Sequence, residues 1–115
     1  METQRFQLLV LEEAKNFLKT LPFPVRSKIG YNIRKVQGGI VSTDLFKKLD
    51  NSDIWEFRSL FQGVAYRLFS FWDTESGTLV VATHGIIKKT QKTPTKEITK
   101  AEEIRKKYFE AKNSK

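Results

Sequence analysis

The pattern of apolar positions changes twice in the first forty residues. Arg5–Leu11 (RFQLLVL) is a short apolar run and predicts a strand. Apolar residues then recur every three or four positions as far as Pro22, which predicts a first helix: Leu11, Ala14, Phe17, Leu18 and Leu21. A second such stripe opens at Pro24 and ends at Gly38-Gly39: Val25, Ile29, Ile33 and Val36. Two consecutive amphipathic helices predict a helical hairpin packed on a sheet.

Three later segments are rich in aromatic and β-branched residues and predict the sheet. They are Ile54–Gln62, Val64–Asp73 and Thr78–His84. A turn around Gly63 joins the first two, and a polar loop ending at Gly77 joins the last two. Because such short links connect adjacent antiparallel strands, an antiparallel meander is expected.

The chain closes with a predicted helix. Thr99 and Glu102 have the spacing of a capping box. A narrow apolar stripe follows: Ala101, Ile104, Tyr108 and Ala111. We therefore predict a single domain over residues 1–115, of α+β class and order βααβββα. It is a twisted antiparallel sheet with a helical hairpin on one face and a C-terminal helix, and its other face is available for a ligand.

Charge and composition narrow the possible functions. The net charge is +8, and residues 86–115 hold ten Lys or Arg against four Glu, which favours a polyanionic partner. Cysteine is absent and His84 is the single histidine, so disulfides and thiolate ligands are excluded and neither a metal nor a cofactor is expected. No apolar run is long enough to span a bilayer and no signal peptide is evident, so a cytoplasmic location is expected.

Strand alternation selects candidate residues for the open face. Trp55, Phe57 and Phe61 are typical of a core, which turns Glu56 and Arg58 outward. If Leu79 and Val81 are also core residues, the residues between and beyond them face the open side: Val80, Ala82 and His84. Alternation does not decide which face carries Arg67 or Tyr66, because both faces of that strand are apolar.

A cluster of Arg58, Arg67, Lys88 and Lys89 is suited to cleaving RNA without a metal. The 2′-hydroxyl of RNA is itself the nucleophile, so the protein has only to move protons and stabilise charge on the phosphate. A lysine whose pKa is lowered by neighbouring cations is able to exchange protons. The same charges are equally typical of surface ion pairs and solvated loops.

Two stretches, WEFRSLFQGVAYRLFSFW and TLVVATHGIIKKTQKTP, resemble the RelE/ParE superfamily of toxins, in its HigB-like, phage-derived branch. Residues 5–112 match the order of elements in that family. The resemblance implies a ribosome-dependent endoribonuclease that cuts mRNA. It also implies a type II toxin–antitoxin system, in which an antitoxin protein, often of the helix-turn-helix type, inhibits the toxin.

The resemblance also implies roles for individual residues. Arg58 and Arg67 match the family's sheet cations at the reacting phosphate, and Lys88 and Lys89 match basic residues that stabilise charge or donate a proton. His84 is a further catalytic candidate. Candidates for RNA binding are Glu56, Lys92 and Tyr66.

One departure and two alternatives accompany this interpretation. RelE-type enzymes place a tyrosine after the basic position, whereas this chain has Thr90, Gln91, Lys92 and Thr93 there. The base-stacking group and the general base are therefore not assigned. The alternatives are a ParE-like protein that poisons DNA gyrase without cutting RNA, and a catalytically inactive module that binds nucleic acid or an antitoxin.

Overall fold

The computed structural model describes residues 5–75, 77–90 and 92–114. Two parts of the sequence analysis concern residues outside these ranges. They are the start of the chain, where no signal peptide is expected, and Gln91, in the segment where RelE-type enzymes place a tyrosine. The elements in chain order are β1 (Gln7–Val10), α1 (Glu12–Lys19), α2 (Phe23–Gln37), β2 (Phe46–Lys48), β3 (Trp55–Phe61), β4 (Val64–Asp73), β5 (Leu79–Lys88) and α3 (Thr95–Asn113). No helix among the described residues combines the length and apolar character that a membrane crossing requires.

The sheet has five strands in the order β1-β5-β4-β3-β2. The antiparallel meander β3-β4-β5 and the C-terminal helix are confirmed, but two features of the predicted sheet were wrong. β1 pairs with β5 in parallel, because the hairpin of α1 and α2 returns the chain to the opposite edge. The three-residue strand β2 was missed, because Phe46–Lys48 is too short and too basic to form a strand pattern.

The helical hairpin covers one face of the sheet. Apolar residues from α1 and α2 pack there against Phe57, Leu68, Val80 and Ala82. Asn32 of α2 also donates a hydrogen bond of 3.1 Å to Ser59 Oγ of β3, which fixes the hairpin to the meander. The stripes read from the sequence therefore identify the face of each helix that is buried.

The opposite face is only partly open, which corrects the expectation of a free sheet face. α3 packs across it and forms a second core with Phe69, Phe71 and Val81. At the far end, the buried Asp73 carboxylate accepts hydrogen bonds of 2.7 Å from Tyr108 Oη and from Lys112 Nζ. In the part of the chain that the structure describes, the region of this face next to the N-terminus of α3 stays open.

A β-bulge explains why alternation misassigned the last strand. The pairing of β4 with β5 shifts between Phe69 and Ser70, opposite Thr83. Val80 and Ala82, expected on the open side, are buried under the hairpin, whereas His84 lies on the α3 face against Phe69. Because an extra residue reverses the alternation, Lys88 is brought to the same face as Arg67.

α3 begins four residues before the predicted capping box. Thr95 is its first residue, and the N-cap is Pro94, which makes no side-chain capping bond. Glu102 does not cap the helix but accepts a hydrogen bond of 2.8 Å from Ser52 Oγ. The early start places Thr95 and Ile98 at the rim of the uncovered part of the sheet.

Candidate functional site

A cleft of about 520 Å³ opens where α3 leaves the sheet uncovered. β2 and β3 form one wall, and the end of β5 with the segment leading into α3 forms the other. Cations are the most numerous group in its lining, which holds four cations, two carboxylates, two threonines and two apolar residues: Lys47, Arg58, Lys88, Lys92, Asp50, Glu56, Thr93, Thr95, Leu49 and Ile98. The local sequence positions these groups, because residues on alternate positions of paired strands share a face.

The Glu56 carboxylate is the centre of this arrangement and is 2% exposed. Its Oε1 lies 3.5 Å from Arg58 Nε and 3.4 Å from Arg67 Nε. Its Oε2 accepts a hydrogen bond of 3.1 Å from Thr93 Oγ1. A buried carboxylate with these partners holds two guanidinium groups side by side, which like charges would otherwise resist.

Arg58 and Arg67 are paired directly across β3 and β4. Burial and the neighbouring Arg58 lower the pKa of Arg67, although a guanidinium stays charged at any physiological pH. Arg67 Nη1 donates to the carbonyl of Tyr66, and its Nε is buried without a hydrogen-bond partner in good geometry. Arg58 is more exposed, and its Nη1 donates to the carbonyl of Thr43. Both guanidinium groups are thus held in place before any ligand binds.

Lys88 is the titratable group whose environment fits proton transfer. Burial, together with the positive charges of Arg67, Arg58 and Lys47, lowers the pKa of its ammonium, while Glu56 opposes the shift. The amine is therefore closer to exchanging protons near neutral pH than an ordinary lysine is. Lys89, its neighbour, is exposed and does not line the cleft, whereas Lys92 does.

His84 lies apart from the cleft lining. Its ring is 3% exposed and stacks on Phe69, with 4.9 Å between ring centroids. Nε2 lies 3.1 Å from Glu97 Oε1, and Nδ1 lies 3.0 Å from Thr83 Oγ1. Burial lowers the pKa of His84 even though Glu97 opposes the shift, so the neutral ring is favoured. The structure thus makes His84 a link between β5 and α3.

Tyr66 also lies apart from the cations. It points to the hairpin face, where it is buried in the core with Leu68 and Phe57. Tyr108 packs on Phe71 and hydrogen-bonds Asp73, at the far end of α3 from the cleft. Neither ring is available in the cleft to stack on a base.

Two residues of the cleft had no signal in the sequence. Lys47 is paired with Glu56 across β2 and β3, but its strand was not predicted. Thr93 holds Glu56 from a segment that reads as a polar linker. A strand of three residues and a contact between residues 37 positions apart leave no periodic pattern to detect. Among the described residues, no group of three His, Asp or Glu side chains is placed to hold a metal ion.

Comparison with known proteins assigns the chain to a family. A family model described as phage-derived protein Gp49-like (DUF891) matches residues 16–106, which include α2, the whole meander and the first half of α3. No curated protein matches the chain. Members of this family are often toxins of toxin–antitoxin systems. The chain belongs to the phage-derived Gp49-like family, and through it to the RelE/HigB-like toxins.

Proposed function

We propose that this protein is the toxin of a type II toxin–antitoxin system and that it cleaves mRNA on the ribosome. The observation that carries the proposal is an open cleft that holds Arg58 and Lys88 next to the buried Glu56 carboxylate, which also pairs with Arg67, a buried residue behind the cleft lining. Membership of the Gp49-like family supports the same conclusion. The protein's partner in the cell is then an antitoxin that blocks this activity.

The proposed reaction is a transesterification within the RNA. The 2′-oxygen attacks the adjacent phosphorus as its proton passes to a water molecule, and the bond to the 5′-oxygen breaks as that oxygen gains a proton. The products are a 2′,3′-cyclic phosphate and a 5′-hydroxyl. Charge accumulates on the phosphate in the transition state, where fixed cations stabilise it most.

Each cationic residue has a proposed part in this reaction. Arg58, which lines the cleft, binds the phosphate oxygens, Arg67 adds its positive charge from the buried side, and Glu56 keeps the two guanidinium groups in position. Lys88, whose pKa is lowered, donates the proton to the leaving 5′-oxygen. Lys92 and the exposed Lys89 bind flanking phosphates of the mRNA. His84 supports the site through β5 and α3.

The test is a brief induction in bacterial cells of the wild type, Arg58→Ala and Arg105→Ala. Arg58 lines the cleft, whereas Arg105 is an arginine of α3 that lies near Asp53. New 5′ ends are mapped in a translated message and in an untranslated copy of it. The proposal predicts ends only in the translated message, lost in Arg58→Ala and kept in Arg105→Ala. Growth arrest without new ends, accompanied by a DNA-damage response, would instead indicate a gyrase poison.

A further inference from the structure

α2 carries an unusual charge distribution on the side of the molecule opposite the cleft. Its fifteen residues, Phe23–Gln37, include four cations and no acidic residue: Arg26, Lys28, Arg34 and Lys35. α3, by comparison, mixes its lysines and arginines with four glutamates. Among the described residues none of the four α2 cations forms an ion pair.

Helix stability explains only half of this distribution. Arg34 and Lys35 lie in the last turn of α2, where cations favour the helix dipole, but Arg26 and Lys28 lie nearer its N-terminus, where they do not. An acidic residue in the first turn would favour the helix dipole, yet α2 has none there and Arg26 follows directly. Arg26 and Arg34 are also unaccompanied by the acidic partners at i±4 that commonly support exposed helices. Arg26 and Lys28 therefore point to a ligand outside the chain, and Arg34 and Lys35 add to the same positive surface.

The surface is shaped as well as charged. Gly30 lies midway between Arg26 and Arg34, one turn from each, and leaves a notch between the two side chains. A Cβ atom at Gly30 would lie 3.3 Å from Arg34 Nη1, so the guanidinium extends across the glycine. Two shallow grooves meet at these three residues, with volumes of about 290 and 420 Å³.

An exposed aromatic ring lies beside this notch. Tyr31 is 53% exposed, and Lys35 Nζ and Lys28 Nζ lie 5.2 and 5.9 Å from its ring centroid. Phe23 is 71% exposed at the start of the helix. Cations interleaved with exposed aromatic rings are typical of surfaces that bind nucleic acid.

We propose that the exposed face of α2, formed by Arg26, Lys28, Tyr31, Arg34 and Lys35, is a second RNA-binding surface that holds the phosphate backbone of a folded RNA. This inference goes beyond the proposed cleavage of mRNA, although it shares RNA as the ligand. Because Asn32 ties α2 to β3, the strand that carries Glu56 and Arg58, the two surfaces are fixed relative to each other across the sheet. The α2 face anchors the protein on structured RNA while the cleft receives the strand to be cut.

An RNA backbone fits this face better than an acidic protein does. A protein partner buries apolar surface at the centre of its interface. The chain offers such a surface elsewhere, in an apolar groove of about 380 Å³ lined by Phe6, Phe46, Trp55 and Trp72. The α2 face instead offers two pairs of cations about two turns apart, Arg26 with Arg34 and Lys28 with Lys35, which neutralise phosphates along an RNA backbone.

The experiment measures binding of a fluorescent 2′-O-methyl RNA hairpin by anisotropy over a range of salt concentrations. The methyl group blocks the attacking hydroxyl, so the proposed nuclease cannot cut the probe. Arg26→Gln/Arg34→Gln is compared with Lys106→Gln/Lys107→Gln, which removes the same charge from exposed positions of α3. We expect the α2 variant to bind about tenfold more weakly, with a salt slope smaller by about 1.4 to 1.8, as for the loss of two phosphate contacts. The control should bind like the wild type.

Three results would overturn the inference. Equal losses in both variants would show an effect of net charge alone, and unchanged binding in the α2 variant would exclude the surface. Poly-L-glutamate that competed as well as the hairpin, at equal charge, would assign the face to an acidic protein. Cleavage of a translated message is scored separately, so the α2 surface and the nuclease can each fail without the other. Circular dichroism of both variants confirms that they fold.

Discussion

Oε1 of Glu56 lies 3.4 Å from Nε of Arg67, and both side chains are more than nine-tenths buried. A buried ion pair of this kind is costly to break, because the partner left behind is charged and out of water. Arg67 also lies beside Arg58, a like charge that Glu56 offsets. The pair therefore supports the fold as well as the proposed site.

We expect Glu56→Gln to lower the free energy of unfolding by about 3 kcal/mol, because it keeps the shape of the side chain and removes the charge. Urea unfolding of the purified protein measures this. The control is Glu110→Gln on the exposed face of α3, for which a change within about 0.5 kcal/mol is expected. If Glu56→Gln were as stable as the control, the ion pair would not support the fold.

Arg58→Ala should separate catalysis from stability. Glu56 keeps Arg67 as a partner when Arg58 is removed, so we expect a loss of only about 1 to 2 kcal/mol in unfolding free energy. Loss of a fixed cation at the phosphate should slow cleavage by about 100-fold or more. Single-turnover cleavage on programmed ribosomes measures the rate, with Arg105→Ala as the control. A rate within about twofold of the wild type would remove Arg58 from the phosphate site.

The pH dependence of cleavage tests the role of Lys88. If its ammonium donates the proton, the rate falls as pH rises through the pKa of Lys88, which its surroundings lower from the ordinary value of 10.5. Lys88→Arg keeps the charge but does not titrate in this range. The variant should therefore cleave more slowly than the wild type, and its rate should not fall at alkaline pH. Glu56 raises the pKa of Lys88, so Glu56→Gln should move the fall to lower pH. If the cleavage rate fell over the same alkaline pH range in the wild type, Lys88→Arg and Glu56→Gln, Lys88 would be excluded as the proton donor.

Periodicity in the sequence identified the elements with long, regular patterns. The stripes of α1 and α2 and the aromatic strands β3 and β4 were predicted close to their observed bounds. Alternation selected Arg58, whereas Arg67 and Lys88 were selected because a cationic cluster suits RNA cleavage and because of the family resemblance. The structure brings all three to one face of the sheet.

The features that were missed depend on contacts distant in sequence. The bulge at Thr83 places His84 on the opposite face from Val80 and Ala82, with which alternation had grouped it. Packing of α3 on Phe69 and Phe71 closed most of the face expected to be open. Neither a one-residue register shift nor the docking of a helix is encoded in local periodicity, because both are decided by the tertiary packing.

Acid stability should depend on Asp73, at the far end of α3. Burial opposes its ionisation, but hydrogen bonds from Lys112, Tyr108 and the amide of Glu75 outweigh burial and lower its pKa. Because the pKa of Asp73 is lower in the folded protein, its ionised carboxylate stabilises the fold above about pH 3.9, the ordinary pKa in an unfolded chain. This stabilisation is lost as the pH falls through the pKa of the folded protein. The same contact raises the pKa of Tyr108 to about 12.

We expect Asp73→Asn to lower the unfolding free energy at neutral pH by about 2 kcal/mol and to weaken its dependence on pH below about 4. Unfolding in urea at several acidic pH values measures both effects. Asp53→Asn, at a side chain that is 74% exposed, is the control and should keep the acid dependence of the wild type. If the unfolding free energies of the wild type and of Asp73→Asn fell equally as the pH is lowered, Asp73 would not cause the acid dependence.

His84→Gln tests whether the single histidine acts in the chemistry or in the fold. Its ring is buried between Phe69 and Glu97 and lines no part of the cleft, so we expect cleavage within about threefold of the wild type. Loss of the stacked ring should lower the unfolding free energy by about 1 to 2 kcal/mol. Because burial lowers the folded pKa of His84, the wild type should lose stability as pH falls from about 6.5 towards that value, and the variant should not. A rate loss of about 100-fold with unchanged stability would instead place His84 in the reaction.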